Sequence, residues 1–142
     1  CRMRQNHRAV WTRSGHRFIE TDDTALNRAL VVFCQDDSHP LSWILKRGFR
    51  HCFVCLEQDG HWYLIDGGPG VPSVKYLTAG DFDLESFYES KGMITLMTRQ
   101  RTETPVAPWV WRNCVGLVKG ILCLPSWALT PYQLHRYLRK HP

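Results

Sequence analysis

Short apolar runs separated by polar or glycine-containing breaks dominate the pattern of the chain. Residues 30–34 (LVVFC) form a continuous apolar run that ends at Gln35, and residues 93–98 (MITLMT) form a second run. Runs of this length between polar breaks favour buried strands over helices, which need longer periodic segments. The pattern therefore predicts two strands of a small sheet at these positions.

The clearest local pattern is a hairpin between residues 49–57 (FRHCFVCLE) and residues 61–66 (HWYLID). Both segments are rich in strand-forming residues, and the Asp59-Gly60 pair between them is favoured in type I′ turns. A two-residue turn fixes the register, because the residues that flank the turn must then lie opposite each other. We therefore predict an antiparallel strand pair with known cross-strand neighbours.

Four segments show the apolar spacing of a helix. Residues 40–47 predict one or two helical turns, residues 81–91 predict a short helix, and residues 113–124 predict a longer one. The last helix starts at Thr130, whose spacing to Gln133 is that of a capping box. Together with the strands, these helices predict an α+β fold in which a small antiparallel sheet packs against helices.

Composition divides the chain into two parts. Residues 1–28 are rich in arginine and show little periodicity, so we expect a poorly ordered arm, whereas residues 29–142 are expected to form one domain. Hydrophobic residues make up 44% of the sequence, which is a globular composition and excludes a disordered protein. No apolar run approaches the roughly 20 residues that span a bilayer, and the N-terminal residues lack the apolar stretch of a signal peptide.

Net charge and cysteine count narrow the class of protein further. The formal net charge is +5, and the excess arginine near both ends is more typical of solvated termini than of a nucleic-acid-binding surface. Six cysteines lack the regular spacing of a disulfide framework, so we expect reduced thiols. Cys52 and Cys55 have the spacing of a metal motif, but residues three apart on a strand point to opposite faces. We therefore expect no metal and no cofactor.

Cys114 is the first candidate for chemistry. It directly follows Asn113, a preferred N-cap, so its side chain is expected in the first turn of a helix. The unpaired amides and the positive end of the helix dipole at this position favour the thiolate and lower the pKa of the cysteine. The alternative is that Cys114 is a small buried hydrophobic residue with no chemical role.

His51 and Asp66 are the candidates that would accompany Cys114. With a two-residue turn they lie on one face of the hairpin as diagonal neighbours, so the carboxylate can hold one imidazole nitrogen while the other acts as base. The set is complete if the helix that carries Cys114 packs on that face. A three-residue loop would instead bring His61 beside His51. Taken separately, His51 is also compatible with a core histidine, and Asp66 with a residue that ends a strand.

Trp109 and Trp111 shortly precede Cys114 in the sequence. They are candidates for the walls of a substrate groove, and packing around the last two helices is an equally good interpretation. The glycine-rich segment 67–70 lacks the Lys-Ser/Thr pair of a phosphate-binding loop, so phosphate binding is not expected there.

Three segments resemble members of a known superfamily. A histidine in GFRHCFV, an aspartate that ends WYLID and an Asn-Cys helix start in RNCVGLVKGIL resemble the permuted branch of the NlpC-like papain-fold cysteine peptidases and amidases. The order histidine, acid, cysteine resembles that of the lecithin retinol acyltransferase-like proteins in this branch. The C-terminal LTPYQLHRYLRK is similar to small prophage-encoded members, and the resemblance covers about residues 29–140.

The resemblance implies a circularly permuted papain-like (NlpC-like) arrangement and a thiol hydrolase. In that family a thiolate attacks an amide, ester or thioester carbonyl, which gives Cys114, His51 and Asp66 the roles of nucleophile, base and orienting acid. It also implies a peptide or acyl-bearing substrate such as peptidoglycan, phage structural proteins as partners, and a chain made in the cytoplasm or carried in a phage particle. Three alternatives stay open: a non-catalytic structural or interaction protein of a phage particle, an acyltransferase or thioesterase with the same triad, and a basic nucleic-acid-binding module.

Overall fold

The computed structural model describes residues 7–11, 17–21, 27–37, 42–67, 72–101 and 113–142. Within these ranges the chain has an α+β fold with a five-stranded antiparallel sheet and three α-helices. The strands are β1 (His7–Trp11), β2 (Arg17–Thr21), β3 (Arg28–Cys34), β4 (His51–Gln58), β5 (His61–Asp66), β6 (Ser73–Ala79) and β7 (Ile94–Arg99). The helices are α1 (Leu84–Ser90), α2 (Cys114–Leu122) and α3 (Pro131–Lys140), and Ser42–Ile44 form a 3-10 turn.

The five-stranded sheet is the middle of three layers. Its strand order is β6-β5-β4-β3-β7, and every neighbouring pair is antiparallel. Because alternate residues of a strand point to opposite faces, the sheet contributes to two hydrophobic clusters. The cluster that we call the α2 face joins Cys52, Val54 and Leu56 of β4 to α2 and α3. The other, the α1 face, joins Phe53 and Cys55 to α1.

The predicted hairpin register is confirmed. Gln58 lies opposite His61, and the ladder between β4 and β5 continues without a slip to the pair of Val54 and Ile65. Asp59 and Gly60 have φ angles of 51° and 74°, and a type I′ turn requires positive φ at both central positions. The turn therefore has two residues, and the three-residue loop that would have changed the faces is wrong.

The predicted helix signals are also confirmed. The side chain of Asn113 accepts a 2.7 Å hydrogen bond from the amide of Gly116 at the start of α2. Thr130 and Gln133 form the expected capping box at the start of α3. The helix predicted over residues 113–124 ends earlier, at Leu122, because Cys123 adopts a left-handed conformation with φ of 52°.

Two elements differ from the sequence prediction. Of the helix predicted over residues 40–47, the described part from residue 42 onward contains only the 3-10 turn at 42–44. Trp43 and Ile44 are exposed there, and without burial of an apolar face so short a helix is not stable. Strand β6 was not predicted. It lies at the edge of the sheet, and because most of its residues are exposed its sequence lacks the apolar alternation of a half-buried strand.

The N-terminal segment, predicted to be an arm, contains two strands. β1 and β2 pair antiparallel in a separate two-stranded sheet. Arg28, the last residue assigned to the arm, is the first residue of β3; its guanidinium forms an ion pair with Glu57 and lies over the ring of Trp62. The described helices include none that is long and apolar enough to cross a membrane.

Candidate active site

The three candidate residues lie at the ends of three different elements. His51 is the first residue of β4, Asp66 is the last residue of β5, and Cys114 is the first residue of α2. Because β4 and β5 are antiparallel, the start of one strand lies beside the end of the other. The fold therefore brings residues from distant parts of the sequence to one end of the sheet.

His51 and Asp66 are in direct contact. The Nε2 atom of His51 lies 2.8 Å from Oδ1 of Asp66, a distance typical of a strong hydrogen bond to a carboxylate. Their side chains are 17% and 30% exposed, so the pair is sheltered but reaches solvent. Since Nε2 donates to Asp66, Nδ1 is the ring nitrogen that is left for the cysteine.

The helix that carries Cys114 does not pack on the expected face. Sequence reasoning required α2 on the side of the sheet that carries Phe53, whereas α2 packs on the opposite side against Cys52. His51 nevertheless interacts with Cys114. His51 lies at the very start of β4, where it is paired with Cys34 of β3 and lies beyond the last pair that β4 makes with β5. At this end of the sheet its side chain contacts both Asp66 and Cys114.

The contacts at Cys114 stabilise its thiolate. The pKa of Cys114 is lowered to about 4, and the largest cause is a hydrogen bond from the Cys52 thiol. Hydrogen bonds from the His51 side chain and from the backbone amide of Cys52, together with the imidazolium charge, lower it further, whereas burial opposes the shift. Hydrogen bonds to Asp66 and to Cys114 raise the pKa of His51 to about 10. At neutral pH the pair is therefore a thiolate and an imidazolium, which is the reactive form of a cysteine nucleophile.

Cys52 is the residue of this site that sequence reasoning missed. It is completely buried on the α2 face, and its hydrogen bond to Cys114 raises its own pKa well above the ordinary value. The sequence offers only a partial signal: Cys52 alternates with Val54 and Leu56 on one apolar face of β4, but Phe53 and Cys55 make the other face apolar as well, so the pattern does not show which face a helix covers.

Cys55, Cys34 and His61 do not share the properties of the three site residues: they lie elsewhere, or their thiol has a raised pKa instead of a lowered one. Cys55 is on the α1 face, as the prediction of opposite faces for Cys52 and Cys55 requires, and burial raises its pKa to about 12. Burial raises the pKa of Cys34 to about 11. His61 is exposed at the hairpin turn, where its Nδ1 atom lies 2.9 Å from the carbonyl oxygen of Asp59.

Two further expectations concern a groove and a metal. Trp109 and Trp111, the candidate walls of a substrate groove, lie outside the described residues. Among the residues that the structure describes, no group of three or more His, Cys, Asp or Glu side chains is arranged to hold a metal ion.

Gly67 sets the distance between the end of β5 and helix α2. A Cβ atom added at Gly67 would lie 2.8 Å from Cδ2 and 3.3 Å from Cβ of Leu117, a core residue that is 1% exposed. Because Leu117 is held on the helix by core packing, it cannot move away without shifting α2. The absence of a side chain at Gly67 thus lets α2 approach the backbone that follows β5.

Gly67→Ala is therefore expected to destabilise the fold by about 1–3 kcal/mol through overpacking. Urea unfolding followed by circular dichroism measures the change. The double variant with Leu117→Ala tests the cause, because removing the clashing side chain should make the double variant less destabilised than the sum of the single variants. Strict additivity of the two effects would contradict a direct contact.

The arrangement is suited to nucleophilic attack on a carbonyl carbon. Cys114 supplies a thiolate, His51 supplies a proton donor that can return as a base, and Asp66 holds the imidazole in one orientation. These are the parts of a cysteine hydrolase or acyltransferase, and none of them needs a cofactor for this chemistry.

Comparison of the chain with protein-family models, with curated proteins and with solved structures finds no match.

Proposed function

We propose that this chain is a thiol hydrolase that cleaves an amide bond of a peptide through an acyl-enzyme on Cys114. One observation carries the proposal: the His51 imidazole contacts the Asp66 carboxylate with one nitrogen and interacts with Cys114, which starts α2. A nucleophile, a base and a group that orients the base stand in this relation in triad hydrolases.

In the proposed acylation step, the Cys114 thiolate attacks the carbonyl carbon of the scissile amide. A C–S bond forms, and the electron pair of the C=O double bond moves to oxygen. The backbone N–H of Cys114 is suited to stabilise this oxyanion, because amides in the first turn of a helix have no acceptor within the helix. The His51 imidazolium then gives its proton to the leaving nitrogen, the C–N bond breaks, and the acyl group remains as a thioester.

Deacylation reverses the roles of the same groups. Neutral His51 takes a proton from water, the resulting hydroxide attacks the thioester carbonyl, and the C–S bond breaks to release a carboxylic acid and the thiolate. Asp66 stabilises the imidazolium that forms in this step and keeps Nε2 engaged, so that Nδ1 faces the reacting atoms.

We also propose that the five-stranded sheet and α2 form a circularly permuted papain-like arrangement. In ordinary members of the superfamily that the sequence resembles, the cysteine helix precedes the histidine strand. Here β4 with His51 and β5 with Asp66 come first, and α2 follows them in sequence while it packs directly on β4. This order supports a permuted arrangement.

A peptide is the substrate class that we propose, with the stem peptide of peptidoglycan as the leading example. The resemblance to small prophage-encoded proteins supports this choice, and the partial exposure of His51 and Asp66 leaves the site accessible to a polymeric substrate. Trp109 and Trp111 remain the proposed groove walls. An acyltransferase would share the acylation step and differ only in the acceptor that resolves the thioester.

Acylation by p-nitrophenyl acetate near neutral pH tests the nucleophile. One acetyl group is expected on Cys114, detected by intact mass and by the tryptic peptide 113–119, and Cys114→Ala should remove it. Cys34→Ala is the matched control and should retain the adduct, because burial raises the pKa of that neighbouring thiol. Peptidoglycan stem peptides are then offered to both variants. Release of a free carboxylate by Cys34→Ala, and no release by Cys114→Ala, supports hydrolysis.

Two outcomes would refute this function. Equal acetylation of the Cys114→Ala variant would show that another group reacts. A stable acetyl adduct that neither water nor an amine acceptor resolves would leave the chain as a non-catalytic protein with the same fold.

A further inference from the structure

Two cysteines lie together at the centre of the site, and the proposed reaction uses only one of them. Cys52, on β4, directs its thiol and its backbone amide to the sulfur of Cys114. Cys52 is completely buried in the α2 face, and Cys114 is partly exposed and packs against the same cluster.

We propose that Cys52 and Cys114 form a reversible disulfide when the protein meets a hydroperoxide, and that this disulfide switches the Cys114 nucleophile off. The proposal goes beyond the hydrolase function and requires no substrate. It makes Cys114 the peroxide-sensitive residue and Cys52 the resolving residue of an oxidation site.

The first step is oxidation of Cys114. Its thiolate attacks one oxygen of the hydroperoxide, the O–O bond breaks, and water or an alcohol leaves after it takes up a proton, so that sulfur is oxidised to a sulfenic acid. Only Cys114 of the two can react in this way, because it alone is both ionised and partly exposed. Cys52 has no exposed surface through which the oxidant could reach it.

The second step joins the two sulfur atoms. The Cys52 sulfur attacks the sulfenic sulfur, the S–S bond forms, the S–O bond breaks, and hydroxide leaves as water with the proton of Cys52. Oxidation itself promotes this step. The thiol proton of Cys52 is held mainly by its hydrogen bond to the Cys114 thiolate, and a neutral sulfenic acid no longer carries the charge that held it.

The disulfide has two consequences for the site. It removes the thiolate that attacks a carbonyl, so acylation by p-nitrophenyl acetate should stop. It also protects Cys114 from further oxidation to the sulfinic and sulfonic acids, which are not reversed by thiols. A dithiol reductant restores both cysteines by exchange, taking up the S–S bond as its own disulfide.

Hydrogen peroxide treatment of the reduced 142-residue chain tests the proposal. The wild-type protein is expected to lose two hydrogen atoms in intact mass, and peptide 113–119 is expected to be linked to peptide 51–75 until dithiothreitol is added. Peptide 51–75 contains both Cys52 and Cys55, so fragmentation of the linked pair identifies the partner. Acylation of Cys114 by p-nitrophenyl acetate should fall at least tenfold on oxidation and recover on reduction.

Cys55→Ala is the matched control for Cys52→Ala, because both cysteines are fully buried on β4 but face opposite sides of the sheet. Cys55→Ala should keep the link, whereas Cys52→Ala should lose it and gain two or three oxygen atoms on Cys114 irreversibly. A link from Cys114 to Cys34 or Cys55, or a Cys52→Ala variant that recovers as fully as the wild type, would overturn the proposal. If Cys52→Ala does not fold, the fragmentation of the wild-type pair decides. All these readouts are masses or stoichiometric labelling, so they are independent of whether the chain turns over a substrate.

Discussion

Alkylation of Cys114 by iodoacetamide is expected to keep a nearly constant rate from about pH 9 down to about pH 5 and to fall by half near its pKa of about 4. Only the thiolate attacks the reagent, and Cys52 and the His51 imidazolium keep Cys114 ionised across this range. An ordinary cysteine, with a pKa of about 8.5, loses about tenfold in rate for each pH unit below that value. Labelling of peptide 113–119 is compared between the folded protein and the chain unfolded in urea.

The ratio of the alkylation rates of Cys114 in the folded and the unfolded chain depends on two opposing effects of the lowered pKa: a larger thiolate fraction and a weaker nucleophile. Between about pH 9 and pH 5 the thiolate fraction of an ordinary cysteine falls by more than a thousandfold, whereas that of Cys114 stays nearly constant. The lower pKa also makes the Cys114 thiolate a weaker nucleophile, by about a hundredfold for a difference of about 4.5 pH units. Cys114 should therefore react faster than the unfolded chain at pH 5 and more slowly at pH 9, with the ratio changing by about three orders of magnitude.

His51→Ala is expected to raise the pKa of Cys114, so that its rate acquires a slope between pH 5 and pH 8. The imidazolium both donates a hydrogen bond to the thiolate and attracts it electrostatically, and the variant removes both effects. His61→Ala is the matched control, since His61 is exposed at the hairpin turn. A wild-type rate that already rises tenfold per pH unit in this range would exclude a resting thiolate, and the proposed hydrolase with it.

The proximity of His51 and Asp66 could be predicted from the sequence because one local feature decides it. Asp59 and Gly60 both adopt positive φ, so the turn has two residues and every cross-strand neighbour follows. The start of α2 could be predicted for a similar reason, because the Asn113 side chain caps the helix locally. Local turn and cap chemistry thus located all three candidate residues.

The face of the sheet that α2 covers could not be predicted in the same way. Both faces of β4 are apolar and buried, with Cys52 and Val54 on one side and Phe53 and Cys55 on the other. A helix with an apolar face fits either side, and the choice depends on contacts between segments far apart in sequence. Cys52 was missed for this reason, since its role exists only on the face that α2 covers.

Replacing Asp66 with asparagine is expected to lower the pKa of His51 by more than one pH unit from its value of about 10. The hydrogen bond to the Asp66 carboxylate is the largest cause of the raised pKa, and a neutral amide oxygen supports the imidazolium much less. Carbon-detected NMR titration of the His51 ring measures the change directly. Asp59→Asn is the matched control, because the turn tolerates asparagine and is remote from His51.

The same shift predicts how the stability cost of Asp66→Asn depends on pH. Because the pKa of His51 is raised from 6.5 to about 10 on folding, the folded state binds the proton more tightly than the unfolded chain does. This tighter binding adds to the free energy of unfolding. The added stability is complete below about pH 6.5 and is lost as the pH rises through about 10. The variant loses part of that contribution, so its deficit in free energy of unfolding should be largest and constant between about pH 5 and pH 6.5 and should shrink toward pH 10. A deficit that is equally large at pH 6 and above pH 10 would mean that Asp66 stabilises the fold by contacts other than the one with a charged imidazole.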